Sequence, residues 1–248
     1  MAKERKRFEF TKDLDVNDRF DFTKDDGESY SKVQVDLSWI SELDLDALAF
    51  LVGDDGIIND DADFVYYKSN SRWLPADANW KDPNLREDVD VTEGDFQPFD
   101  RTKFRTARVW RANTIPVSKD GSVIGSWDDP GGEEGPEEEE SGETMHINLD
   151  KISEEVAEIV ICVSIHPNPS LEISVEDQTF DKVKQAKIEL TDEETGNILC
   201  TYNLKSDFAG KTAVEVGKLA INDEGEWAFQ PLKEGHEGGI ETLAEIYA

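Results

Sequence analysis

Residues 44–67 read Asp44-Leu-Asp-Ala-Leu-Ala-Phe-Leu-Val-Gly-Asp-Asp-Gly-Ile-Ile-Asn-Asp-Asp-Ala-Asp-Phe-Val-Tyr-Tyr67. Two apolar runs flank Gly53 and Gly56, the layout of a β-hairpin. Side chains at i and i+2 of a strand share a face, so Asp44 goes with Asp46 and Asp61 with Asp63. A turn centred on Asp54 and Asp55 would bring Asp46 nearly opposite Asp63. Carboxylates facing one another across a ladder repel, and beside Leu, Ala, Phe and Val they are costly to desolvate. A hard cation removes both penalties, because Ca²⁺ takes a nest of carboxylate and carbonyl oxygens. A single such pair reads as an ordinary solvent-facing strand position. Two pairs converging across one hairpin point to a metal site at Asp44, Asp46, Asp61 and Asp63.

The rest of the chain is strongly acidic. The whole chain of 248 residues carries 57 Asp and Glu against 26 Lys and Arg, a formal net charge of −31. Nucleic acid and anionic lipid surfaces are repelled by such a chain, which leaves cations and basic protein surfaces as its natural partners. Length alone fits one large domain or two small ones. Cys162 and Cys200 sit in apolar strand-like runs without CxxC spacing, as buried reduced thiols of a cytoplasmic protein would. The basic start leads into no apolar stretch and is not read as a signal peptide. No run is long enough for a membrane span.

Outward from the hairpin, Val33, Val35, Leu37 and Trp39 alternate with polar or small residues, a half-buried strand. Upstream, Arg7-Phe-Glu-Phe-Thr-Lys-Asp13 nearly repeats as Arg19-Phe-Asp-Phe-Thr-Lys-Asp25, each copy placing two Phe on one side of a short strand. Downstream, residues 71–119 scatter Trp73, Trp80, Trp110, Phe96, Phe99 and Phe104 among Pro, Asn and Asp, with Arg105, Arg108 and Arg111 in one basic run. Residues 120–150 hold no Lys or Arg, and Gly and Pro forbid regular structure in their Glu-rich centre. A like-charged loop of this kind orders only around cations or basic groups. Residues 157–166 are apolar on both faces, as an interior strand requires. Strands follow at 183–190 and 198–204, and Ile240, Leu243, Ala244 and Tyr247 mark a short closing helix, read as a lid on one edge of a sandwich.

Asp44-Leu-Asp-Ala-x-Ala-Phe-Leu51 followed by Asp61-Ala-Asp-Phe-Val-Tyr-Tyr67 resembles the signature of the TerD family of tellurite-resistance and stress proteins. The likeness continues through Ser164-Ile-His-Pro167, Phe180-x-x-Val183, Tyr202-Asn-Leu204, Thr212-Ala-Val-x-Val-Gly-Lys-Leu219 and Glu226-Trp-x-Phe229. It implies a single all-β domain over residues 1–248, a calcium-binding β-sandwich of two antiparallel sheets with a short C-terminal helix. Against that pattern the aromatic and basic segment at about 71–119 is an insertion, and residues of about 120–144 take the place of an acidic calcium loop. Ser126-Trp-Asp-Asp129 stands where the family has Gly-Asp-Asn, so the resemblance adds Asp128 and Asp129 to the ligands and leaves Glu137 to Glu140 as a diffuse cation trap. It also implies a non-enzymatic role in tellurite or oxidative stress resistance. The protein would act as scaffold or sensor with other stress-response proteins, near the membrane only through partners and without nucleic acid.

Catalytic motifs are wanting. A phosphate-binding loop ending at Gly210-Lys-Thr212 would need Gly where Lys205 stands, and an EF-hand begun at Asp44 meets Ala49 where it needs Gly. His146, His166 and His236 lack zinc-ligand spacing and read as strand or loop residues with backbone partners. Two further readings use the same residues: a calcium-independent acidic module docking a partner through the arginine-bearing segment, or a hydrolase using the aspartates with Mg²⁺ or Mn²⁺.

Overall fold

The computed structural model describes residues 19–24, 27–75, 96–99, 113–129, 141–204 and 208–248. The first Phe-x-Phe copy, Trp80, Trp110, the arginine run and Glu137 to Glu140 lie outside them.

Two antiparallel sheets face one another. In spatial order the larger holds β1 (Phe20–Asp21), β14 (Trp227–His236), β13 (Ala213–Ile221), β10 (Glu158–His166), β3 (Asp44–Val52) and β4 (Phe64–Val65). The second holds β12 (Asn197–Asn203), β11 (Gln185–Asp192), β2 (Lys32–Ile40), β9 (Ser141–Asn148) and β8 (Val123–Gly125). The alternation expected in β2 is met: Val33, Val35, Leu37 and Trp39 are all buried between the sheets, with Met145 and Ile147 of β9 and Ile188 and Leu190 of β11. The second Phe-x-Phe copy joins β14 as β1, and Phe22 just beyond it is buried in the same core. This is the expected all-β sandwich.

The 44–67 stretch departs from a simple hairpin. Ladder pairs between β3 and β4 are only Ala49 with Val65 and Phe50 with Phe64. Continued, that register sets Asp63 beside Leu51, five residues from Asp46 or ~17 Å along the strand. Asp46 and Asp63 are not opposite one another. The long neighbour of β3 is instead β10, paired from Glu158 with Val52 to His166 with Asp44. Residues before β4 leave the ladder because the Asp60 side chain accepts from the Ala62 N–H (3.0 Å) and caps a 3-10 turn over Asp61–Asp63. A nonlocal strand apolar on both faces is a better partner for the apolar face of β3 than this polar turn.

Because β3 and β10 are apolar on both faces, a second layer is needed outside. It is the C-terminal helix α1 (Gly239–Tyr247), whose Leu243, Ile240 and Tyr247 pack on Leu48, Phe50, Val160 and Cys162. The helix therefore covers the outer face of the larger sheet rather than lying on an edge of the sandwich. Tyr247 Oη donates to Glu215 (2.5 Å) and its ring sits 4.9 Å from that of Phe50. Cys162 lies under the helix and Cys200 in the inter-sheet core; both are unbridged, and burial pushes both thiols up, Cys200 to about 12.

A third, three-stranded sheet was not foreseen. It joins β6 (Phe96–Pro98), β5 (Arg72–Pro75) and β7 (Ile115–Pro116). Buried Arg72 pins it to the sandwich, donating to the carbonyls of Tyr67 (2.9 Å) and Thr114 (2.6 Å) and to the Thr114 hydroxyl (2.7 Å).

Candidate metal centre

Since β4 reaches only Ala49 and Phe50, the edge of β3 from Asp44 to Leu48 has no strand beside it among the described residues. Backbone N–H groups left on an edge need acceptors. Glu143 supplies one: from an inward position on β9 it crosses to the other sheet and accepts from the Ala47 N–H at 2.7 Å. Its carboxylate thereby lies beside Asp46, the next residue on β3.

A third carboxylate is brought in by the neck of the acidic loop. The Ser126 N–H donates to the Thr144 carbonyl (2.8 Å), the Thr144 N–H to the Ser126 hydroxyl (3.1 Å), and the Gly142 N–H to Asp129 (2.9 Å). These bonds zip residues 126–129 to the start of β9 and set Asp128 over the end of the sandwich. Asp46, Asp128 and Glu143 each present an oxygen, all within 4.8 Å of one another. Among the described residues they are the one group of three potential metal ligands so arranged.

Two of the three are deeply buried and Asp128 is half-buried: Asp46 is 2% and Glu143 7% exposed, and Asp46 Oδ1 has no hydrogen-bond partner. Loss of water, then the charges of Asp44 and Asp128, push the Asp46 carboxyl well above its ordinary range, with Lys68 pulling the other way. Burial does the same to Glu143, reinforced by Asp46 and opposed by the Ala47 N–H. Each carboxyl so placed favours its proton more than an exposed one does, and a cation can take the proton's place. Against Asp46 stands His166, its Nδ1 3.9 Å from Asp46 Oδ2 and 2.9 Å from the Tyr67 hydroxyl. The same carboxylates, after burial, push the Tyr67 phenol up.

Of the residues named from sequence, Asp46 and Asp128 thus meet, with Asp44 near enough to raise both buried carboxyls. Asp129 is turned to the Gly142 N–H and helps hold the neck. Asp61 and Asp63 do not join them. Asp61 is exposed on the 3-10 turn, and Asp63 is buried near Lys119, Asp120 and Asp60. Burial lifts Asp63 to about 6. A carboxyl raised in the folded state binds protons there that the unfolded chain has lost, so stability falls as pH rises from about 4 to about 6. Asp63→Asn should remove that penalty, stabilising the protein by about 2 kcal/mol above pH 7 and hardly at all at pH 4. Urea midpoints at the two pH values check this.

Glu143 was missed. Its signal was its place two residues before Met145, an inward position of β9, where an acid needs a reason. The histidines have side-chain rather than backbone partners: His146 meets Glu193 at 2.6 Å and His236 meets Glu215 at 2.7 Å.

The fold and site define an acidic antiparallel β-sandwich in which carboxylates of both sheets meet Asp128 of the loop neck. The sequence profile of the TerD domain matches residues 11–76 and 113–247, and the chain belongs to the TerD family. The unmatched residues 77–112 fall inside the segment read as an insertion. Tellurium resistance protein TerD of Serratia marcescens is 27% identical over 225 residues, 88% of each chain. General stress protein 16U of Bacillus subtilis (strain 168) is 30% identical over 128 residues, 51% of this chain and 61% of its own. A solved homologue of telluride resistance protein TerD from Streptomyces coelicolor A3(2) shares the fold: TM-score 0.50, 19% identity, 87% of this chain and 96% of that one. These relatives are named for resistance and stress, not for a reaction. Among the described residues no helix is long and apolar enough to cross a membrane.

Proposed function

We propose that the protein is a non-enzymatic calcium-binding member of its family, serving tellurium and stress resistance in the cytoplasm as a scaffold or sensor for other stress proteins. The observation that carries this is the convergence of buried Asp46 and Glu143 with half-buried Asp128, an Asp46 oxygen lacking any hydrogen-bond partner. Ligands drawn from a strand edge, a second sheet and a loop suit the loose coordination of Ca²⁺ better than the strict octahedron of Mg²⁺. A bound Ca²⁺ would offset two of the three carboxylate charges and tie the loop neck to both sheets. Asp44 adds negative charge beside the site, and the neck bonds of Ser126 and Asp129 hold Asp128 in place. Calcium titration of metal-stripped protein by calorimetry, with Mg²⁺ as competitor, tests the reading. Saturable binding that Mg²⁺ fails to displace supports it, and no heat at millimolar calcium overturns it.

A further inference from the structure

A cavity of about 480 Å³ opens beside the carboxylate trio, with Asp46 in its wall. It is far larger than an ion or a few waters need and lies in the size range of small-molecule sites. Its lining is mixed. Ile165, Val175 and Ile240 give it apolar surface, while Lys68 and His166 stand on the side of Asp46, and Glu241 in the first turn of α1 adds a second acid. Lys68 Nζ is held 4.6 Å over the Tyr67 ring. Asp46, nearly all buried and with its Oδ1 unpartnered, lines the cavity together with buried Ser164 and Gln178.

We propose that this cavity binds a small organic anion, a carboxylate or phosphate carrying a body of about one ring, and does so only when a divalent cation is held at Asp46. The inference rests on the calcium reading above. Without the cation, Glu241 stands against Lys68 and no metal is present at Asp46 to coordinate an anion. A divalent ion on the trio supplies the coordinating centre that the pocket otherwise lacks. Three protein carboxylates also leave part of a six-to-eight oxygen shell to be filled. The anionic head of the ligand completes that shell beside Lys68 and His166, and its body lies on Ile165, Val175 and Ile240. Sensing calcium and sensing a metabolite become one event, since each ligand raises the affinity of the other.

Phenylphosphonate is the probe for the phosphate arm and benzoate for the carboxylate arm, each titrated by calorimetry into the full chain with calcium and after metal stripping. At least one should bind with millimolar or better affinity in calcium and about tenfold or more weaker without it. Val175 is 42% exposed at the rim, so Val175→Trp should block the probe without disturbing the core or calcium binding. Lys68→Glu should weaken the probe about tenfold and leave calcium affinity undiminished. Calcium binding with no response to either probe overturns the inference and leaves the calcium reading standing. Failure of calcium itself to bind overturns both. Equal probe binding without metal, or in Val175→Trp, places the anion elsewhere and overturns the inference. So does metal-free binding of benzylamine that calcium displaces, which would make the pocket a cation site.

Discussion

In ~1 mM calcium the protein should melt about 10 °C higher than in chelator, and in magnesium it should gain little of that. A ligand confined to the native state stabilises it by RT ln(1 + [L]/Kd). With Kd near the micromolar range of calcium sensors, millimolar calcium is about a thousandfold excess and contributes about 4 kcal/mol. For a domain of this size each kcal/mol moves the midpoint by roughly 2–4 °C. The gain is concentrated because the trio joins parts far apart in the chain: Asp46 from β3, Glu143 from β9 and Asp128 from the loop neck. The unfolded chain can hold no such set together. Differential scanning fluorimetry in calcium, magnesium and chelator reads the effect, and coincident melting curves would remove the basis for calcium.

Much of this architecture was legible because it obeys short-range periodicity. The alternation of Val33, Val35, Leu37 and Trp39 could only serve a half-buried strand, and the apolar centre of 157–166 from Ile159 to Val163 only an interior one. The stripe of Ile240, Leu243 and Tyr247 could be read as a helix, but its seat could not. That seat follows from Leu48, Phe50, Val160 and Cys162 sharing the outer face of β3 and β10, which emerges only once those strands are paired. Pairing also explains the misplaced aspartates. Local turn chemistry at Gly53 and Gly56 favoured a hairpin, whereas Asp60 capped its own turn and left β3 to a partner more than a hundred residues away. Asp46 and Asp128 carried their signal in the sequence. Glu143 needed the tertiary fact that the β3 edge at Ala47 lacks a strand neighbour.

Because Glu143 has two separable roles, its substitutions give the sharpest test of the site. Glu143→Gln keeps an oxygen able to accept from the Ala47 N–H but removes the charge. Calcium affinity should then fall about a hundredfold, equivalent to ~2.7 kcal/mol. Metal-free protein should hold or gain stability, since a carboxyl strained by burial and by Asp46 is replaced with a neutral amide. Asp46→Asn should behave alike, its Oδ1 having no hydrogen bond to lose. Glu143→Ala should differ: the buried Ala47 N–H loses its acceptor, which costs about 1–3 kcal/mol even without metal. Asp61→Asn, on an exposed turn away from the trio, should leave calcium affinity within about twofold of the parent. Calorimetry for affinity and urea midpoints for stability separate these four outcomes. If Asp61→Asn abolished calcium binding while Glu143→Gln preserved it, the ion would belong to the 3-10 turn and not to the end of the sandwich.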